Sequence, residues 1–135
     1  MITLEALRML DTTMWLRSGE QASKRLHCSQ STVSRNNAET TELVGLELNR
    51  VDGEWQLQGD TTLLQMERRV HQHKRLLCEE GGIPLRVEAN FWAAPTLLNP
   101  LPPGWEGGAW DHVGMARPMQ LVRERVIDAW IASYQ

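Results

Sequence analysis

Leu4, Leu7, Leu10 and Met14 recur at the spacing of one helix face, Ala6 and Trp15 widen the stripe, and Thr3 stands in N-cap position. Ser18-Gly19 ends this helix. A short second helix is expected from about Glu20 to His27, with Ala22 and Leu26 on one face. Cys28-Ser29 makes a turn, Ser29 or Ser31 can cap a third helix running to about Val44, and Gly45 stops it. Three short helices joined by tight turns predict a compact trihelical core. The period then changes. Leu46, Leu48, Trp55 and Leu57 flank Val51-Asp52-Gly53-Glu54, which reads as two short strands around an Asp-Gly hairpin turn.

The helical period returns from Asp60 to Glu80, where Leu63, Met66, Val70, His73 and Leu77 repeat at alternating three and four. Gly81-Gly82-Ile83-Pro84 is expected to end this helix and to act as a hinge. Beyond it, Leu85 to Ala89 alternates like a strand, and Asn99 to Gly108 is a breaker-rich loop. Met119 to Arg125 can be helical, and Val126 to Ile131 either continues that helix or becomes a buried strand. Phe91, Trp92, Trp105, Trp110 and Trp130 all lie in this tail. With so much loop it is expected to be the less stable part, to expose aromatic surface, and to be cut near Gly81-Gly82 or within Pro100 to Gly108.

Composition narrows the function classes. With 41% hydrophobic and 23% charged residues over 135 positions, this is a folded soluble chain. No stretch approaches the ~20 apolar residues of a membrane span, and Glu5, Arg8 and Asp11 interrupt any signal peptide. Two cysteines, Cys28 and Cys78, make no disulfide framework and fit a reducing cytoplasm. A net charge of −3 excludes polyanion binding by bulk charge. Residues 1–58 themselves carry −2, but Lys24, Arg25 and Arg35 bracket the polar run Ser29 to Ser34 while the acids lie mostly outside it.

That run carries the candidate chemistry. A helix that enters the major groove needs short hydrogen-bonding side chains plus an amide and a guanidinium able to bridge two base-edge atoms. Gln30, Ser31, Ser34, Arg35 and Asn36 supply them, although a solvated polar helix start has the same residues, and Arg35 could instead pair with Glu39. Metal and enzyme chemistry find little support. His71 and His73 point to different sides of a helix, and no phosphate-cradling glycine loop, Ser-His-Asp set or carboxylate pair is visible. No cofactor is expected.

Ala22-Ser23, Leu26, Ser29-Gln30-Ser31-Thr32-Val33-Ser34-Arg35 and Gly45 resemble the helix–turn–helix of LysR-type transcriptional regulators, and the likeness extends over residues 3–80. It implies a mainly α fold: a winged helix–turn–helix over 1–58, a linker or dimerisation helix over 59–82, and a short α/β fragment over 83–135. That last piece resembles part of the family's periplasmic-binding-protein-like effector domain, with Val126 to Ile131 similar to a later strand. Too few residues follow Pro84 for a whole effector domain, so the chain is expected to be truncated relative to the family. Asn37 and Thr40 stand where the family buries Ile and Leu, the wing reads Leu48-Asn49-Arg50, one residue short, and it closes on Leu57-Gln58 rather than Leu-Thr.

What the resemblance implies is a non-enzymatic, sequence-specific regulator of double-stranded DNA, working as a homodimer or higher oligomer without a membrane. Lys24, Arg25 and Arg50 would position it on phosphates. Ser29, Gln30, Ser31, Thr32, Ser34 and Arg35 would face DNA from the third helix. Leu63, Met66, Val70, His73 and Leu77 would form the dimer seam, the other reading being a stripe packed on the chain's own core. A small-molecule effector belongs only to a full-length version. The rival function is a dimeric protein-interaction module, pairing with other regulators and binding DNA poorly, as the acidic balance and the polar Asn37 and Thr40 invite.

Overall fold

The computed structural model describes residues 2–77, 82–112 and 114–132. The chain falls into two compact units, Met1–Arg68 and Arg69–Gln135. In the first, α1 (Leu4–Leu16) starts where the Thr3 hydroxyl accepts from the Ala6 amide, and it ends at Arg17 in the left-handed conformation. Ser18 caps α2 (Gly19–Leu26), and Ser29 caps α3 (Gln30–Leu43) by accepting from the Thr32 amide. The choice between Ser29 and Ser31 as cap is thereby settled. The hairpin follows as β1 (Glu47–Val51) and β2 (Glu54–Gln58), antiparallel, with Arg50 opposite Trp55 and Val51 opposite Glu54. Asp52 and Gly53 both take positive φ, 52° and 79°, as a two-residue turn of this hand requires.

Leu7, Leu10, Met14, Val44, Leu46 and Leu64 form the core of this unit, and Leu48, Trp55 and Leu57 pack on it from the hairpin. Helices α1 and α3 bury several polar residues, Asp11, Thr12 and Thr13 on the first and Asn37, Thr40 and Thr41 on the second. Asn37 does not stand there unpaired. Its Nδ2 donates to Thr13 Oγ1 at 3.0 Å and its Oδ1 accepts from Asn36 Nδ2 at 3.3 Å. The apolar contact expected at this position is replaced by a directional one.

The fourth helix, α4 (Thr62–Leu76), begins after Asp60, whose Oδ1 accepts from the Thr62 hydroxyl and amide. Those two bonds, the hydroxyl's first, hold the Asp60 carboxyl below its ordinary pKa. The helix was expected to reach Glu80, and positions 78–81, with Cys78 and Gly81, lie outside the described residues. Leu64 and Arg68 are its contribution to the first unit. Arg68 Nε and Nη2 both donate to Asp11 Oδ1, at 3.0 and 2.8 Å, with both side chains essentially buried.

The second unit is a small parallel sheet with short helices. Its strands are β3 (Leu85–Ala89), β4 (Trp105–Gly107) and β5 (Ala129–Ile131), in the order β4-β3-β5; the helices are α5 (Ala94–Leu97) and α6 (Ala116–Arg123). Strand β4 lies inside the segment expected to be loop, and Val126 to Ile131 divides into a buried turn at Val126-Ile127 and a strand. Asp128 organises this unit. It takes a bidentate pair from Arg75 at 2.9 Å, a bond from Gln72 Nε2 at 3.1 Å and the Arg86 amide at 2.9 Å. Of the described aromatic residues in the tail, Trp92, Trp105, Trp110 and Trp130 are half-buried and Phe91 is exposed, so among the described residues the expectation of exposed aromatic surface narrows to Phe91.

Removing one partner of a buried ion pair strands the other without water. Asp11→Ala should lower unfolding stability by about 3–5 kcal/mol in urea denaturation, and the apolar double replacement Asp11→Leu with Arg68→Met should recover most of that loss.

Candidate functional site

The first unit's sequence candidates gather at the start of α3. One face of that helix is fixed by packing: Val33, Asn37, Thr40 and Thr41 are buried. At 3.6 residues per turn this leaves Gln30, Ser31, Ser34 and Arg35 to face out, and all four are exposed. Gln30, Ser31 and Ser34 also line a groove of about 1170 Å³ whose opposite wall is the hairpin, with Asn49, Arg50 and Trp55. Ser29, Ser31 and Thr32 form a hydroxyl cluster at the helix start, Ser29 Oγ lying 3.0 Å from Ser31 Oγ and 2.8 Å from Thr32 Oγ1. Ser29 therefore acts mainly on the helix itself, by fixing where its exposed face begins.

The cations divide by environment. Arg35 stands outside the groove lining and, among the described residues, forms no ion pair, so the pairing with Glu39 does not occur. Lys24 is exposed and lies 3.3 Å from Glu20, one turn back on α2. Arg25 sits over the Trp15 ring at 5.6 Å, and Arg50 over the Trp55 ring at 5.3 Å. Asn36, included in the base-reading inventory, turns inward instead: its Nδ2 donates to the Ala6 carbonyl at 3.0 Å. Carboxylates also line the groove, from Glu20, Glu42 and Glu47, so its local charge is not uniformly positive.

Trp15, Arg17 and Trp55 escaped the sequence reading as parts of this site. The signal for Trp55 was present, because an Asp-Gly two-residue turn sets 50 opposite 55. The signal for Trp15 was not, since its place on the α1 stripe made it a core residue, which it also is.

On α4 and at the residue just past its end the seam positions face solvent: Leu63 is 57% exposed, Met66 61%, Val70 51% and Leu77 70%, and His73 is exposed too. They are not a stripe packed on the chain's own core: the residues of this helix that are buried are Leu64 and Arg68 in the first unit and His71 and Arg75 in the second. Among the described residues no group of three His, Cys, Asp or Glu could hold a metal ion, and no helix is long and apolar enough to cross a membrane.

No protein-family model matches the chain, and no curated protein matches it. Solved structures do. A full-length OxyR variant from Pseudomonas aeruginosa is similar over 100% of this chain and 50% of its own, with TM-score 0.53 and 20% identity. An OxyR mutant from Corynebacterium glutamicum is similar over 94% of this chain and 45% of its own, with TM-score 0.48 and 20% identity. CrgA, a LysR-type transcriptional regulator from Neisseria meningitidis, is similar over 100% and 44%, with TM-score 0.42 and 18% identity. The chain spans about half the length of these proteins.

The Ser29 cap is the local device that starts the exposed face. Ser29→Ala should cost about 1 kcal/mol of stability in thermal or urea denaturation, and Ser29→Asp should cost less.

Proposed function

We propose, from a chain that has the fold of a LysR-type regulator, that residues 1–58 are a winged helix–turn–helix that binds double-stranded DNA sequence-specifically. The observation that carries this is the outward face of α3, where Gln30, Ser31, Ser34 and Arg35 stand in solvent while the opposite face is locked into the core. A helix presented this way offers amide, hydroxyl and guanidinium groups to base edges in a major groove. Thr32 and Ser29 stand at the helix start, near the DNA backbone. Lys24, Arg25 and Arg50 hold phosphates and set the register. Residues 59–82 act as the linker helix, and residues 83–135 as part of an effector domain whose ligand chemistry belongs to a longer protein.

The exposed seam of α4 extends the proposal to assembly. Leu63, Met66, Val70 and Leu77 form an apolar row that a second copy would cover, with His73 at the same seam. This gives a homodimer whose two third helices read two half-sites. The protein-interaction reading drew on the acidic balance of residues 1–58 and on the polar Asn37 and Thr40; the hydrogen bonds of Asn37 to Thr13 and Asn36 mean that its polarity costs the fold no unpaired group.

Three measurements test these statements. In electrophoretic or anisotropy titrations, affinity for DNA should fall steeply as salt rises; weak binding indifferent to salt would favour the interaction module. Arg35→Ala should cost about 1–3 kcal/mol on a selected cognate site and relax preference at one base pair, while Lys24→Ala should weaken all sequences alike. Val70→Glu should turn dimers into monomers in analytical ultracentrifugation, and an intact dimer would assign the seam another role.

A further inference from the structure

We propose that Trp55 is a positioning residue that holds Arg50 ready for a DNA phosphate; this rests on the DNA-binding reading above. The two residues are direct cross-strand partners in the hairpin. The Arg50 guanidinium carbon lies 5.3 Å from the Trp55 ring centroid, and Nη2 donates to the Arg17 carbonyl at 3.4 Å. Arg17 ends α1 at φ 60°, and its own Nη1 reaches Glu54 Oε1, Trp55's chain neighbour, at 3.5 Å. Trp55 in turn packs on the hydrophobic core, so the ring is a fixed platform rather than a second mobile group.

The surroundings explain what the platform does. Glu20, Glu42 and Glu47 line the same groove, and a freely moving guanidinium would be drawn to them. Among the described residues Arg50 forms no ion pair with any of them, and it remains exposed. Stacking on an indole suits a planar, weakly hydrated guanidinium better than an ammonium. Side-chain freedom that Arg50 would otherwise lose on gripping a phosphate is already lost in the free protein. Arg25 over the buried Trp15 ring repeats the arrangement on α2, at 5.6 Å.

The test uses the whole chain and one fixed DNA duplex. Trp55→Leu should weaken binding by about 2–5-fold while leaving the slope of log affinity against log salt unchanged, because the cation is still present. Trp55→Phe should stay close to the parent, and Arg50→Lys should resemble Trp55→Leu. Arg50→Ala should lower the slope by about one unit, and adding Trp55→Leu to it should cost nothing more. Additive losses, or a Trp55→Leu protein that binds like the parent, overturn the proposal. A general loss of structure would show as a lower thermal midpoint and a lower slope for Trp55→Leu, and Arg50→Lys then decides alone. NMR of the Arg50 Nε–Hε group in the DNA-free protein separates the two layers. The group should be rigid in the parent and mobile in Trp55→Leu, and equal mobility sinks the stack itself. A rigid Arg50 in a parent protein with no salt-dependent DNA affinity instead overturns the DNA-binding reading, and the positioning role with it.

Discussion

Asp11 and Arg68 form the contact on which the first unit depends, because neither charge can be left alone where they lie. Asp11 comes from the middle of α1 and Arg68 from the second turn of α4, fifty-seven residues apart. Both are essentially excluded from water, and the guanidinium spends two donors on one carboxylate oxygen. Such a pair adds little net stability over an apolar one, but it tolerates no slip along the helix, since a one-residue shift would strand both charges. It therefore fixes the register of α4 against α1 while Leu64 supplies the apolar part of the contact.

The same economy of direction over bulk runs through the α1–α3 contact. Asn37 reaches Thr13, Thr13 Oγ1 in turn donates to the Met9 carbonyl at 2.8 Å, and Asn36 reaches the Ala6 carbonyl. An apolar α3 could rotate or slide by a few degrees at small cost. Two hydrogen bonds to specific points on α1, one of them to a hydroxyl itself held by the Met9 carbonyl, permit no such adjustment. The rotation of α3 about its axis decides which residues face outward, so the polar residues that look like defects in the buried face define the exposed one.

Most of the first unit was legible because its signals are local. Caps at Thr3 and Ser29, the glycine at 45 and the Asp-Gly turn act within a few residues, and the elements they delimit lie close to their expected bounds. Ser18-Gly19, expected to end α1, instead opens α2, because Arg17 itself takes the left-handed conformation that stops α1. The exposure of Leu63, Met66 and Val70 was legible as one of two alternatives, since a heptad stripe reads the same whether it packs on its own chain or waits for another. The second unit was less legible for a physical reason: β4 is three residues long and pairs in parallel with β3, a contact far apart in sequence that leaves no period to detect. The Arg50–Trp55 stack was recoverable from the turn register, whereas Arg25 over Trp15 depends on how two helices pack.

Net charge and local arrangement pull in opposite directions in this molecule, and the balance explains why so few cations are placed so carefully. The first 58 residues carry more acids than bases, and carboxylates from Glu20, Glu42 and Glu47 share the groove with the exposed face of α3. A strongly basic domain can leave its lysines loose and let long-range attraction find a polyanion. Here attraction of that kind is weak, so under the proposed function binding strength would have to come from contacts that cost little to make. A guanidinium already laid on a ring, a helix face already fixed by hydrogen bonds to α1, and a hairpin tied through Arg17 to the end of that same helix all lower the cost of making contact rather than add to the pull.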